Sequence, residues 1–501
     1  MDLQKACAGR GLFEYHWRMR IYFLGIAGSA MGNAALLMRS LGHEVLGVDT
    51  NVYPPMSDVL RSAGIDFREG YDAAALEASG ADLVVVGNAL SRGNPEIEWL
   101  LASRSMAYDS LPAVLRRMAL EKRRTIVIAG THGKTTTTAL TAHLLRENGR
   151  DPGFLIGGVP RDFPMGNHAG SPADPFVIEG DEYDSAFFDK RSKFIHYAPQ
   201  IAVLNNLEFD HADIFRDLQD VVRTFSHFVR LVPRDGAILL NGDDPNLVGL
   251  LPIPWTRVIR VGEGSSNDLR IEGFSESPEG SRFELVWNGR RWAEVQWSQQ
   301  GLFNARNAAM ACLAAGLAVS PDSPTALRLD GLSRFQGVKR RQEIRGRRGA
   351  VILIEDFGHH PTAVGLTLQS LRSRHPGARL VAAFEPRSNT ARTRTFQGAL
   401  VPALSLADRV ILAPVDRAER LDPANRLDTI ELAGHLTETG AAAEACRSYE
   451  ETWNALSGEV RADPDRPTVV VLFSNGSFGG VIARLADLMR EKDGGRRAEA
   501  G

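Results

Sequence analysis

Short apolar runs recur along this chain, separated by longer stretches whose apolar residues fall at helical spacing. Arg20-Ile-Tyr-Phe-Leu24, Val45-Leu-Gly-Val48 and Asp82-Leu-Val-Val-Val86 form a first series. Thr125-Ile-Val-Ile-Ala129, Pro175-Phe-Val-Ile-Glu179 and Ile201-Ala-Val-Leu204 form a second. Ala350-Val-Ile-Leu-Ile354, Arg379-Leu-Val-Ala-Ala-Phe384, Arg409-Val-Ile-Leu412 and Thr468-Val-Val-Val-Leu472 form a third. A run that is apolar at successive positions suits a strand buried on both faces, as parallel sheets are when helices cover them. The pattern predicts an α/β protein of three domains, 19–120, 121–333 and 334–490. The basic stretch Glu121-Lys-Arg-Arg124 and the segment Ser333-Arg-Phe-Gln-Gly337 mark the breaks. Residues 1–18 lack periodicity and 491–501 are polar and glycine-rich, so both ends are expected to be disordered.

Composition narrows the classes. A chain of 501 residues exceeds what one core organises. With 58 basic and 61 acidic residues its net charge is −3, which gives no electrostatic reason to expect a nucleic-acid or membrane partner. The three cysteines, Cys7, Cys312 and Cys446, are too sparse for a zinc site or a disulfide framework and suit a reducing cytoplasm. Ile21 to Met38 carries no charge and follows Arg18 and Arg20, so it could pass for a signal peptide or a membrane span. Gly25, Gly28 and Gly32 inside it fit a strand, tight turn and helix instead.

The sharpest chemical signal is Gly130-Thr-His-Gly-Lys-Thr-Thr136, between an apolar run and a helical stretch. Glycines let the backbone curl so that successive N–H groups face a polyphosphate, and the helix N-terminus adds partial positive charge. Lys134 can reach the terminal phosphates and Thr135 can offer its hydroxyl to Mg²⁺. The loop has two residues between its glycines where the usual phosphate loop has four. These features predict a P-loop ATP or GTP site in the central domain. Glu179, followed by Gly180, Asp181 and Glu182, ends the next strand of that series and is a candidate metal ligand; His211, in Asn205-Asn-Leu-Glu-Phe-Asp-His211, is a second. The first domain carries Gly25-Ile-Ala-Gly-Ser-Ala-Met-Gly32, a variant of the Rossmann turn, with Asp49 ending the second strand. This loop suits a diphosphate-linked ligand.

In one order, Gly25 to Gly32, Gly130-Thr-His-Gly-Lys-Thr135, Glu179-Gly-Asp-Glu182, Asn206-Leu-Glu-Phe-Asp-His211, Asn304-Ala-Arg-Asn307, Lys339-Arg-Arg-Gln-Glu343 and Asp356-Phe-Gly-His-His-Pro361 resemble the Mur ligase family of peptidoglycan enzymes, along 19–488. The resemblance implies a Rossmann-like N-terminal domain for a UDP-sugar, a central P-loop ATPase domain and a Rossmann-like C-terminal domain for the amine. It implies that Gly25, Ala27, Gly28, Ser29, Met31, Gly32 and Asn88 hold the UDP-sugar, with Asp49 near the uridine. ATP would be held by Gly130, Thr131, His132, Gly133, Lys134, Thr135 and Thr136, with Asn304 on adenine, Asn307 beside it, and Arg341 and Asp356 closing from the third domain. Thr135 and Glu179 would hold one Mg²⁺ and His211 a second, while Lys134, Glu179, His211 and Arg341 carry the chemistry. Arg387, Ser388 and Asn389 would receive a peptide. Phe303 departs from the family, whose members often place histidine before the adenine-binding asparagine.

Within the family, Asn51-Val-Tyr-Pro-Pro-Met-Ser57, Phe187-Phe-Asp-Lys-Arg-Ser-Lys-Phe194, Glu385-Pro-Arg-Ser-Asn-Thr390 and Ser474-Asn-Gly-Ser-Phe-Gly-Gly480 resemble the members that join UDP-N-acetylmuramate to L-alanyl-γ-D-glutamyl-meso-diaminopimelate. The members that add free L-alanine would carry His-Arg-Tyr where this chain has Arg387-Ser-Asn389. The expectation is a cytoplasmic ligase in peptidoglycan recycling, monomer or homodimer, that makes an acyl phosphate from ATP. An L-alanine ligase is the alternative, and a nucleotide-gated NAD-binding regulator a distant one.

Overall fold

The computed structural model describes residues 18–50, 52, 56–463 and 465–490. Residues 1–17 and 491–501, within the ends expected to be disordered, lie outside the described residues, as do Asn51 and Tyr53 to Pro55 of the 51–57 stretch. The chain divides into two compact units. One runs to Met118 and includes Asp184–Lys190; the other takes Ala119–Tyr183 and Arg191 onward.

The first unit is built on a parallel sheet ordered β3-β2-β1-β4-β5, with β1 Arg20–Leu24, β2 Glu44–Asp49, β3 Asp66–Glu69, β4 Leu83–Val86 and β5 Ala107–Ser110. Helix α1, Ser29–Ser40, follows β1, so the uncharged stretch Ile21 to Met38 is a strand, a glycine turn and a helix. Tyr22, Leu24, Val48, Val84 and Val86 pack with Leu76, Ile97 and Leu100 in its core. The segment Asp184–Lys190, expected in the second domain, groups with this unit because Phe187 packs on its core and Phe188 meets Tyr108 edge to face at 5.3 Å.

The second unit holds two larger sheets. The first contains β6 Thr125–Ala129, β7 Gly153–Leu155, β8 Asn167–His168, β9 Phe176–Gly180, then, past a hairpin of β10 Asp184–Ala186 and β11 Asp189–Ser192, β12 Ile201–Leu204, β13 Ala237–Asn241, β14 Arg257–Gly262, β15 Leu269–Ser277, β16 Gly280–Trp287 and β17 Arg290–Trp297. Its order is β17-β16-β15-β14-β13-β12-β6-β9-β7-β8. The stretch from β12 to β14, together with β6, β9 and β7, is parallel, and β15 to β17 form an antiparallel extension. In that extension Trp297 is buried and Trp287 and Trp292 pack on the core, whereas Trp255, ahead of β14, is exposed. Helix α2, Lys134–Glu147, follows β6, and α3, Leu302–Val319, lies beside it. Among the described residues α3 is the one helix long and apolar enough to cross a membrane, and 78% of it is buried inside the protein.

The last sheet is ordered β18-β19-β23-β20-β21-β22: β18 Glu343–Arg348, β19 Val351–Asp356, β20 Arg379–Phe384, β21 Arg409–Leu412, β22 Ala442–Ala445 and β23 Thr468–Phe473. All but β18 run parallel. Alternate residues feed two cores, Leu380, Ala382 and Phe384 on one face and Val381 and Ala383 on the other, which is why these strands read as continuous apolar runs. Helix α4, Pro361–Arg374, follows β19 with His360 as its N-cap.

Register decides what meets at the strand ends. Ala129 pairs with both Leu204 and Gly180, so Gly130, Asn205 and the Glu179 to Glu182 segment emerge together. In the last sheet Phe473 pairs with both Asp356 and Phe384, which brings Phe357, Glu385 and Ser474 to one edge.

Candidate functional site

The loop before α2 is shaped by close approach. Gly130 and Gly133 have φ of 138° and 80°, and a Cβ at Gly133 would stand 2.5 Å from Asn307 Oδ1. Asn206 clamps the loop: its carbonyl accepts from Thr131 N at 3.3 Å, its Oδ1 accepts from His132 N at 2.7 Å, and its Nδ2 donates to His132 O at 3.2 Å. The Thr131 hydroxyl accepts from Glu208 N at 2.9 Å. Gly133 caps α2 without a side chain, so the amides of the first turn are left for an anion.

Lys134 donates to Gly130 O at 2.7 Å and to Glu182 Oε2 at 2.9 Å. Burial would lower the lysine pKa, but Glu182 and Asp181 overcome it and raise it. Burial likewise pulls Glu182 up, and Lys134 and His211 nevertheless hold it at about 2. Glu182 Oε1 lies 3.3 Å from His211 Nε2, so one carboxylate joins the lysine to the histidine. His211 has φ of 54°, an uncommon conformation for a non-glycine residue. Although burial disfavours its charge, Glu182 and Asp210 raise its pKa.

Glu179 faces Thr135. Its Oε2 accepts from the Thr135 hydroxyl at 3.0 Å and its Oε1 from Gly157 N at 2.6 Å. Burial, with Asp181 beside it, pushes the Glu179 carboxyl up to about 7. Two oxygens about 3.0 Å apart span one edge of an octahedron with Mg–O of about 2.1 Å. The Thr135 and Glu179 oxygens, at 3.0 Å, therefore fit adjacent positions on a magnesium ion. The structure places His211 on Glu182, whereas Glu179 is partnered by Thr135 and Gly157. Thr136 is buried within the first turn of α2.

Asn307 lies under the loop as well as beside Asn304. Its Oδ1 accepts from Thr137 Oγ1 at 3.2 Å, and its Nδ2 donates to Asn304 Oδ1 at 3.1 Å. Asn304 lines a polar cavity of about 350 Å³ with Gln299, Gln300, Arg341, Gln342 and Arg374. The Arg341 guanidinium stacks over Phe357 at 4.8 Å, and its neighbours Arg340 and Gln342 have φ of 63° and 49°. Asp356 accepts from Gln342 N at 2.9 Å and Gly358 N at 2.7 Å, so it fixes the turn that carries Arg341.

In the first unit the glycine loop closes on β2: Gly25 N and Ile26 N donate to Val48 O at 2.8 and 3.1 Å. Asp49, expected beside a uridine, has its carboxylate on the backbone, accepting from Ala27 N at 3.0 Å and Thr50 N at 2.7 Å. The carboxylate, half-buried at the strand end, takes the nearest amides, one from the glycine loop and one from the residue that follows Asp49. Gly28 and Ser29 are exposed at the uncapped start of α1, Met31 is buried against Gly87, and a Cβ at Gly32 would collide with Met56. Asn88 is half-buried just after β4.

Arg387 follows β20, 3.8 Å from Glu385 Oε1 and 3.6 Å from Asp416 Oδ1. Glu385 is fully buried and accepts from Tyr449 Oη at 2.6 Å and from the Ser474 hydroxyl. Ser388 accepts from Ala391 N, and Asn389 donates to Asp213 Oδ2 at 2.8 Å, beside the His211 turn. Sequence reasoning did not assign Glu182, Asn206 or Glu385. Glu182 and Glu385 carried a signal, since each is an acid within three residues of a strand end, where open α/β sheets gather their sites.

The chain matches the Mur ligase family catalytic domain over residues 20–123, the Mur ligase middle domain over 128–315 and the Mur ligase glutamate ligase domain over 340–476. It is 41% identical to the UDP-N-acetylmuramate–L-alanyl-γ-D-glutamyl-meso-2,6-diaminoheptandioate ligase of Escherichia coli K12, covering 95% of this chain and 99% of that protein. It is 32% identical to the UDP-N-acetylmuramate–L-alanine ligase of Burkholderia thailandensis over 95% and 99% of the two chains. Among solved structures it is similar to the murein peptide ligase of Psychrobacter arcticus, at 36% identity and a TM-score of 0.69 over 95% and 99% of the chains. On the strength of these likenesses, which run almost end to end and cover all three sheets, the chain belongs to the Mur ligase family.

Proposed function

We propose that this chain is an ATP-dependent ligase that joins the carboxylate of UDP-N-acetylmuramate to the amine of L-alanyl-γ-D-glutamyl-meso-diaminopimelate. The observation that carries the reading is the ranking of relatives of equal coverage: 41% identity to the tripeptide ligase against 32% to the alanine ligase. Arg387-Ser-Asn389 in place of His-Arg-Tyr points the same way. The segments 19–120, 121–333 and 334–490 then serve the UDP-sugar, ATP and the peptide. In the reaction the muramate carboxylate oxygen attacks the γ-phosphorus, the bond to ADP breaks, and an acyl phosphate forms. The peptide α-amine attacks the acyl carbon and loses a proton, and phosphate departs with the electron pair of the C–O bond.

Lys134 and the loop amides hold the phosphates, and Arg341 approaches the nucleotide from the cavity beside Asn304. Thr135 and Glu179 would hold one magnesium ion, with His211 and Glu182 the candidates for a second. Magnesium bound there orients the terminal phosphates and offsets their charge. Glu182 keeps Lys134 protonated and in place.

Phosphate release in the presence of ATP and UDP-N-acetylmuramate tests the reading. The expected result is a kcat/KM for the tripeptide at least about 100-fold above that for L-alanine, a difference of about 3 kcal/mol. Equal rates with the two amines would overturn it.

The metal assignment has its own consequence. Glu179, raised to about 7 from an ordinary 4.5, contributes stability below pH 4.5 that is lost as pH rises through 7. In EDTA at pH 8, Glu179→Gln should be more stable to urea than the parent by about 1–3 kcal/mol, with no advantage at pH 4. Excess Mg²⁺ should stabilise only the parent, and turnover of the variant should fall to background. A variant no more stable than the parent at pH 8 would remove the crowded-carboxylate account of Glu179.

A further inference from the structure

At the phosphate loop two imidazoles and a carboxylate converge: His132, already expected at ATP, with Glu208 and His360, which have no task in the reaction above. His132 Nε2 lies 2.9 Å from Glu208 Oε2, and His360 Nδ1 lies 3.2 Å from the same oxygen. The two rings are 4.6 Å apart between centroids, and one ligand atom from each of the three residues falls within 4.8 Å of the others. The residues come from three places: the loop itself, the segment after β12, and the N-cap of α4.

Hydrogen bonding shows what the cluster is built to hold. His360 Nε2 is 3.2 Å from the carbonyl of Phe209, which can only accept, so the ring proton sits on Nε2. Nδ1 is therefore an acceptor. It accepts from Thr362 N at 3.2 Å and also faces the Glu208 oxygen. A lone pair and a carboxylate oxygen at that distance repel each other unless a cation lies between them.

Two imidazole nitrogens and one carboxylate oxygen make a borderline-soft donor set, the kind that prefers zinc over magnesium. Tetrahedral zinc with bonds of about 2.0–2.1 Å sets its ligands about 3.4 Å apart, close to the 2.9 and 3.2 Å seen here. The Phe209 carbonyl fixes the ring as outer partners of ligating histidines do. We propose that His132, Glu208 and His360 form a binding site for a zinc-class divalent cation, distinct from the magnesium positions, that ties the phosphate loop to the start of α4. The proposal rests on this geometry alone and stands whichever amine the enzyme uses.

The test is calorimetric titration of the full chain with Zn²⁺ in excess Mg²⁺, repeated with Co²⁺ and read by visible absorption. His360→Asn removes the ligand but keeps a residue that caps helices well, so the fold should survive. The parent should bind one Zn²⁺, and His360→Asn should weaken it on the order of tenfold or more. Co²⁺ in the parent should give the intense absorption of a low-coordinate site, lost in the variant. Should His360→Asn not fold, Glu208→Gln, which retains a side-chain oxygen for the His132 contact, is read the same way. Equal affinity in parent and variant, or no Zn²⁺ uptake above the Mg²⁺ background, overturns the site.

Discussion

Lys134→Ala will lower ligase turnover on the order of 10³-fold at saturating ATP and raise the KM for ATP. The Lys134 ammonium is held both to the loop, at Gly130 O, and to the acidic segment, at Glu182. Removing a charged donor aimed at a transferring phosphoryl group typically costs 10²–10³-fold in rate, and here the loop would also lose its tether. A second effect must be separated from the first. Without Lys134, the buried carboxylate of Glu182 keeps only His211 as a charged partner, and a stability loss of about 1–3 kcal/mol is expected. Lys134→Ala with Glu182→Gln should recover most of that loss, as read by urea midpoints, because no uncompensated charge remains. Its turnover should stay low. If the double variant regains activity, Lys134 serves only to neutralise Glu182 and its phosphate role is wrong.

Several strands buried on both faces were legible in the sequence to the residue, and others, such as Val351–Asp356 and Thr468–Phe473, to within one or two. Thr125–Ala129, Ile201–Leu204, Arg379–Phe384 and Arg409–Leu412 stand as the apolar runs predicted them, because a parallel strand covered by helices has no polar face to blur its ends. Edge strands were not. Asp66–Glu69 reads Asp-Phe-Arg-Glu and Ala442–Ala445 reads Ala-Ala-Glu-Ala, half-exposed sequences that ladder pairing makes into strands and that no local pattern announces. The phosphate loop was legible because its chemistry is local: two glycines, a lysine and a threonine within six positions. Pairings across the fold were hidden. The link from Lys134 through Glu182 to His211 spans three strand ends, and the contact of Asp49 with the Ala27 amide joins the end of β2 to the loop after β1. Asp184–Lys190 was assigned by its place in the chain, whereas its two phenylalanines assign it by what they bury against.

The peptide end of the site gives the second large effect. Arg387 is 28% exposed at its side chain, with Glu385 and Asp416 on its flank. Gly476 leaves the room it occupies, since a Cβ there would stand 2.1 Å from Arg387 Nε. Behind it Glu385 is locked by Tyr449 and Ser474, so the guanidinium is aimed before any peptide arrives. Such preorganisation suits a carboxylate, which a guanidinium grips through two parallel N–H···O bonds. The tripeptide offers one that free alanine lacks: a D-glutamyl residue linked through its side chain leaves its α-carboxylate free, away from the reacting amine. Arg387→Ala should therefore raise the KM for tripeptide about 30–100-fold, near 2–3 kcal/mol, with a smaller change in kcat and none in the KM for ATP. Arg387→Lys should restore only part of the loss, because an ammonium carries the charge without the fork. Tyr449→Phe should act in the same direction and more weakly, by loosening Glu385. Equal losses in kcat and in the KM for ATP would show that Arg387 supports the fold of the last sheet and reads no peptide.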